Sequence, residues 1–153
     1  PDDGLPWYFS RRSKRIKARR MIREQRPYLV IGSPQCKEFS TWQYLNETRY
    51  PDDGEKAPAR NAAEVHLEFV ADLYRDQLDA GRYVLHEHLG WATSWPVACI
   101  EKIAGHPKVQ TVHGDQCQHG AQTQSPDGVS ETRSPNLKPT GFMTNSELPL
   151  IHT

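Results

Sequence analysis

The segment Tyr28–Gly32 constrains the fold more than any other part of the sequence. It reads Tyr-Leu-Val-Ile-Gly, a continuous apolar run that is short and closes on Gly-Ser-Pro. Such a run is typical of a strand that is covered on both faces, as in a parallel sheet. A cysteine, Cys36, follows on the turn. The sequence therefore predicts a thiol held just beyond the end of a buried strand.

Extended and helical patterns alternate after this strand. Apolar residues at helical spacing, glycines after helix ends and short apolar runs mark the elements. We predict a helix over 59–80, a strand over 82–90, a helix over 94–105 with Pro96 in its first turn, a strand over 108–115, a long exposed loop over 120–139 and a short strand over 140–146. This order predicts an α/β fold with a mainly parallel sheet and right-handed crossovers.

Basic residues are concentrated near the start of the chain. The 153 residues carry 19 basic and 19 acidic side chains, but 11–26 hold nine Lys or Arg and one Glu. The segment predicts a surface helix that Pro27 ends. Candidate phosphate contacts are Arg11, Arg12, Lys14, Arg15, Arg19 and Arg20. The alternative is a solvated helix face or a disordered basic arm.

Composition excludes several classes of protein. No run of about 18 apolar residues is present, so we expect no transmembrane helix, and the first residues lack a signal-peptide pattern. Three cysteines give no disulfide framework, which favours a reducing, intracellular setting. Because the chain starts without Met, we expect a fragment, with a basic N-terminal segment over 1–27 and a catalytic part over 28–153.

Two residues lie where a parallel sheet places its ligands, beyond the carboxyl ends of strands. Cys36 follows the first strand, and a thiolate there is a strong nucleophile, although a free cysteine is often only a small buried apolar residue. Glu87 lies between His86 and His88 near the end of the second strand. Strand alternation directs both imidazoles to one face and Glu87 to the other, where it could donate a proton. The alternative is a solvated or ion-paired glutamate.

Two further clusters invite a functional interpretation. One combines the two strand histidines with His113, Asp115, Cys117 and His119. It suggests zinc, or a second nucleophile at Cys117, but it lacks the two close ligand pairs of a structural zinc site, and we assign no metal. In the other, Lys138, Thr140 and Asn145 could line a site or contact phosphate; the alternative is a turn followed by an edge strand.

The segment Ile31–Ser40, "IGSPQCKEFS", resembles the Pro-Cys motif of DNA cytosine-5 methyltransferases. "YVLHEHLG" resembles the Glu-Asn-Val motif on their next strand, with His88-Leu89 in place of Asn-Val. "DQCQHG" and "KPTGFMTNS" resemble the later part of a divergent branch that sits in retrotransposon-like polyproteins of protists. The resemblance covers most of residues 28–146. It implies a partial Rossmann-like methyltransferase sheet with flanking helices and long loops.

The resemblance also implies a chemistry. In that family a thiolate adds to C6 of a flipped cytosine, an acidic group hydrogen-bonds N3, and C5 takes a methyl group from S-adenosylmethionine. Cys36 and Glu87 would fill the two catalytic roles. The motif residues Ser33, Pro34, Gln35 and Ser40 would line the substrate site, although Gln35 stands where the family usually has Pro.

The partner would be nucleic acid, DNA in this family, and the location nuclear in a eukaryote. No Gly-x-Gly occurs in the chain, so the cofactor-binding turn is expected upstream of it. The alternative is an inactive nucleic-acid-binding remnant of a mobile element.

Overall fold

The computed structural model describes residues 6–40, 56–124 and 133–147. Helices and strands alternate as far as Asp115, after which only strands follow, and two 3-10 turns lie at Lys37–Phe39 and Gln116–His119. The elements are α1 (Arg12–Gln25), β1 (Leu29–Gly32), α2 (Lys56–Asp79), β2 (Tyr83–Leu89), α3 (Ala98–Ala104), β3 (Gln110–Asp115), β4 (Gln122–Gln124), β5 (Arg133–Pro135) and β6 (Pro139–Thr144).

The main sheet is mixed. Its strand order is β1-β2-β6-β3, in which β1 pairs parallel with β2 while β6 runs antiparallel to both β2 and β3. The prediction of a mainly parallel, partial Rossmann-like methyltransferase sheet is therefore wrong. Successive crossovers would leave β2 and β3 as parallel neighbours, but β6 inserts between them and converts two of the three pairings to antiparallel ones. The broader prediction of an α/β protein is confirmed.

Side chains at the end of β6 hold it against β2. The Thr144 hydroxyl donates to the Val84 carbonyl oxygen at 2.6 Å. The Asn145 side chain accepts from the Val84 N–H and donates to the Arg82 carbonyl, both at 2.9 Å. These bonds satisfy backbone groups at the start of β2 that a buried strand cannot leave unpaired.

The carboxyl ends of β1, β2 and β3 lie at the same end of the sheet, where β6 begins. We call this end the carboxyl edge. Thr140 near the start of β6 pairs with Leu89 at the end of β2, and Pro139 pairs with Asp115 at the end of β3. Burial alternates along β2, so that His86 and His88 are buried and Glu87 is half-buried on the opposite face, as the sequence predicted.

The helix α2 supplies much of the buried core. Leu67, Phe69, Leu73 and Tyr74 are all buried on it. The helix ends as predicted at Gly81, whose φ of 67° lies in the left-handed region that glycine adopts without strain.

The basic helix α1 packs on α2. Ala18 and Ile22 contact the core. Arg19 is hydrogen-bonded to Asp72, and Arg23 forms an ion pair with Asp76 at 3.6 Å. The segment is therefore part of the same packed structure rather than a separate arm.

Two predicted segments differ from the structure. The helix α3 begins at Ala98, because the preceding residues form turns in which Ser94 and Trp95 bond back to β2. The predicted loop over 120–139 contains the short antiparallel pair β4 and β5. Within residues 6–40, 56–124 and 133–147, no helix has the length and apolar character needed to cross a membrane.

Candidate thiol–carboxylate site

Ser33 links the turn after β1 to the end of β2. Because the two strands are parallel, with Gly32 opposite His86, the next residues Ser33 and Glu87 also lie side by side. The Ser33 hydroxyl donates to Oε2 of Glu87 at 2.5 Å. The turn that carries Cys36 and the strand that carries Glu87 are thus joined at one edge of the sheet.

The backbone places Cys36 at the start of the 3-10 turn. The Phe39 N–H donates to the Cys36 carbonyl at 3.0 Å, and the thiol is half-buried. Cys36 is therefore neither a fully enclosed core residue nor part of a disulfide, and its side chain is partly open to solvent.

Phe39 anchors this turn in the core, where its ring is 1% exposed. Its carbonyl accepts from the Thr93 N–H at 2.8 Å. The Arg60 guanidinium stacks on its ring, 4.3 Å from the centroid, and donates to the Glu38 carbonyl at 2.9 Å and the Thr93 hydroxyl at 3.2 Å. One arginine therefore ties α2, the 3-10 turn and the segment after β2 together.

Gly32 has no room for a side chain, because Tyr74 packs closely against its backbone. A Cβ built on it would lie 2.1 Å from the Tyr74 hydroxyl oxygen, and that hydroxyl bonds the Gly32 carbonyl at 3.3 Å and His86 Nδ1 at 3.1 Å. Burial raises the pKa of Tyr74 and lowers that of His86 to about 3. Both side chains are therefore neutral at pH 7 and brace β1 against α2.

His88 lies on the same buried face, beside the turn. Its Nδ1 is 2.6 Å from the Ser94 hydroxyl, and its ring meets Phe39 edge-on with centroids 6.0 Å apart. Burial lowers the pKa of His88, while Glu87 and the backbone carbonyls of Gln35 and Pro34 raise it in part. The imidazole is thus neutral and close to the backbone of the Cys36 turn.

Some predicted substrate contacts reach this edge. Thr140 pairs with Leu89, and its hydroxyl donates to the Lys138 carbonyl at 3.2 Å. Lys138 is near enough to lower the pKa of His88. Asn145 does not reach the edge, because it caps the start of β2 at the opposite end of the sheet.

The predicted residues on the turn itself differ in exposure. Ser33 and Gln35 are exposed, Pro34 is buried, and Ser40 is half-buried at the end of the 3-10 turn. Pro34 therefore packs, while Ser33 and Gln35 face solvent beside the thiol.

The predicted phosphate contacts on and next to α1 are largely engaged within the chain. Lys14 is buried with its ammonium 5.3 Å from the Trp7 ring centroid. Arg15 donates to the Phe9 carbonyl at 2.6 Å, Arg19 bonds Asp72, and Arg20 forms an ion pair with Glu24 at 3.8 Å.

Arg11 and Arg12, at the start of this segment, are exposed. The basic segment thus offers solvent fewer charges than its composition suggests.

The histidine–cysteine cluster is described in part, because the side chain of His119 lies outside the described residues. Among the described residues, no group of three His, Cys, Asp or Glu side chains is arranged to hold a metal ion. His113 is exposed on β3 and meets Trp95 edge-on, while Cys117 is half-buried in the second 3-10 turn.

Four residues at the site carry no sequence signal for their roles. Arg60, Tyr74, Thr93 and Ser94 reach the turn only through tertiary packing, from α2 and from the segment after β2.

Two clefts in the described part of the chain are lined by residues other than Ser33 and Glu87. One, of about 680 Å³, is lined by Trp91, Trp95 and His113 among others, and the second, of about 460 Å³, lies by Leu78 and Asn145. Neither is bordered by Cys36 or Glu87. No protein-family model, curated protein or solved structure matches the chain.

Proposed function

We propose that this chain carries the base-activating part of a DNA cytosine-5 methyltransferase-like site. Cys36 would be the nucleophile and Glu87 the group that meets N3 of a flipped cytosine. The observation that supports this most is the hydrogen bond from Ser33 to Glu87, because it joins the cysteine turn and the glutamate strand at one edge.

The chemistry needs both groups at once. The Cys36 thiolate forms a bond to C6, and the electron pair of the C5–C6 double bond moves to C5. A hydrogen bond between the Glu87 carboxyl group and N3 stabilises the negative charge that develops in the ring. C5 then takes up a proton from water and loses its original one. Expulsion of the thiolate restores the double bond, so a cytosine exchanges its C5 hydrogen with solvent.

We assign the methyl donor no site among the described residues. S-adenosylmethionine would supply the methyl group to the activated C5, but the chain has no Gly-x-Gly turn and neither cleft borders Cys36 or Glu87. The proposal for this chain therefore concerns activation of the base, which proceeds without the donor.

Hydrogen exchange at C5 tests the proposal directly. The protein is incubated in D₂O with single-stranded and duplex oligodeoxynucleotides that contain cytosine, and deuterium at C5 is measured by mass spectrometry. We expect exchange with the wild type, none with Cys36→Ser, and a rate lowered by about 100-fold or more with Glu87→Gln.

Cys99→Ser is the matched control. Cys99 is a half-buried thiol on α3, remote in sequence from the turn, and its replacement should leave the exchange rate unchanged. The proposal fails if the wild type shows no exchange on either substrate, or if Cys36→Ser exchanges as fast as the wild type.

A nucleic-acid-binding remnant is the second candidate. It is favoured by the exposure of Arg11 and Arg12 next to a helix start that has no acidic residue in its first turn. In this case the double variant Arg11→Glu, Arg12→Glu loses oligonucleotide binding, and the affinity of the wild type falls only modestly with rising salt, while Cys36→Ser binds normally and no exchange occurs.

A further inference from the structure

The segment that follows β2 binds the Cys36 turn from the buried side. Thr93 donates its N–H to the Phe39 carbonyl, and Ser94 bonds Nδ1 of His88. The ring of His88 lies against Phe39. Phe39 and His88 are each 1% exposed, so this contact is sealed from solvent.

One polar atom in this contact has no conventional partner. Nε2 of His88 is buried and has no hydrogen-bond partner among the described residues. An imidazole nitrogen in that condition is rare, because it carries the cost of losing water without a replacement. Since Nδ1 is engaged with Ser94, the carbonyls of Pro34 and Gln35 that act on this ring are within reach of Nε2.

We propose that His88 is a positioning residue, whose Nε2–H faces the Pro34–Gln35 backbone and sets the place of the Cys36 turn. In this arrangement the Ser94 hydroxyl, 2.6 Å from Nδ1, would be the donor, so that the ring proton is on Nε2 and points to the turn. Glu87 and His88 are adjacent on β2 and point to opposite faces. One strand thus holds the carboxylate on one side and fixes the backbone of the thiol turn on the other.

The effect of this positioning on the reaction at C6 rests on the proposed function. A thiol must reach C6 along a narrow range of directions, and a misplacement of about 1 Å can cost on the order of 100-fold in rate. The placement of the turn itself does not depend on what Cys36 does, so it has a readout of its own. That readout is hydrogen exchange of the Phe39 amide, whose bond to the Cys36 carbonyl closes the turn.

Two substitutions distinguish the roles of the two imidazole nitrogens of His88. In His88→Gln the side-chain amide nitrogen occupies the place of Nε2 and keeps a donor toward the turn. In His88→Asn the polar atoms occupy the place of Nδ1, which keeps the contact with Ser94 and removes the donor. Both variants leave a smaller buried side chain, so each serves as the structural control of the other. Urea unfolding of both shows how much of any effect is global.

We expect His88→Asn to speed exchange of the Phe39 amide, after correction for global stability, and to slow C5 exchange by about 10-fold or more. His88→Gln should retain both properties to within about 3-fold. Equal effects of the two variants on the Phe39 amide, or full protection in His88→Asn, would overturn the proposal.

The two proposals fail separately. If the wild type exchanges no C5 hydrogen, the proposed function falls, and the Phe39 amide still decides the role of His88. If the wild type is active and His88→Asn changes neither readout, the role of His88 falls alone.

Discussion

The buried imidazole of His86 predicts a specific loss of stability in acid. Burial, with a smaller contribution from the nearby His88, lowers the pKa of His86 to about 3. The ordinary value is about 6.5, so in this interval the unfolded chain binds a proton that the folded chain excludes. Stability from this group is complete above pH 6.5 and falls with decreasing pH until about pH 3.

The size of the effect follows from the interval. Each pH unit below 6.5 removes about 1.4 kcal/mol, so a change from pH 7 to pH 5 removes about 2 kcal/mol through His86. The assay is urea unfolding at both pH values, followed by tryptophan fluorescence, for the wild type and His86→Gln. Glutamine keeps a polar group for the Tyr74 hydroxyl, which lies 3.1 Å from Nδ1 of His86 in the wild type. The variant should lose about 2 kcal/mol less than the wild type between the two pH values.

The contributions of other histidines to the pH dependence are removed by comparing the two proteins and by a control variant. Burial also lowers the pKa of His88 and of His66, and both remain in the variant, so their contributions largely cancel in the difference. His113→Gln removes an exposed imidazole from β3 and should keep the acid sensitivity of the wild type. Equal pH dependence in wild type and His86→Gln would refute the assignment of acid sensitivity to this residue.

Two further substitutions test the support of the cysteine turn. Gly32→Ala should lower the free energy of unfolding by about 1–3 kcal/mol in urea titrations, because its Cβ meets the rigidly packed Tyr74 hydroxyl; unchanged stability would contradict that close approach. Arg60→Lys keeps the charge but not the planar donors on Phe39, so we expect a loss of about 1 kcal/mol and faster Phe39 amide exchange, whereas wild-type exchange would show that the guanidinium is dispensable.

Local patterns predicted the elements that a single segment can specify. The apolar stripe of α2, the glycine at its end and the alternation along β2 are all encoded within a few residues, and each is present in the structure. The place of β6 is not encoded locally. It depends on bonds from Thr144 and Asn145 to the start of β2, about 60 residues earlier in the chain. A pattern read along the chain cannot tell such a strand from an edge strand.

The candidate site likewise contains residues whose positions local sequence predicts and residues whose positions depend on the packed structure. The positions of Cys36 just after β1 and of Glu87 near the end of β2 were predictable from the short apolar runs that mark these strands. The bond from Ser33 to Glu87 depends on the parallel register of β1 and β2, which fixes which residues stand side by side. Arg60 and Ser94 approach from other elements, so only the packed structure reveals that they support the turn.

Several basic side chains of the segment 11–26 stabilise the fold. Nine Lys or Arg within residues 11–26 suggest phosphate binding, yet Arg19 and Arg23 face Asp72 and Asp76 on α2. These pairs are partly exposed and individually weak, but together they orient α1 along an acidic helix face. Phosphate contacts from this segment would have to come from its exposed side chains, among them Arg11, Arg12 and Arg26. A short basic patch gives only a shallow dependence of affinity on salt, so a steep dependence would require contacts elsewhere on the chain.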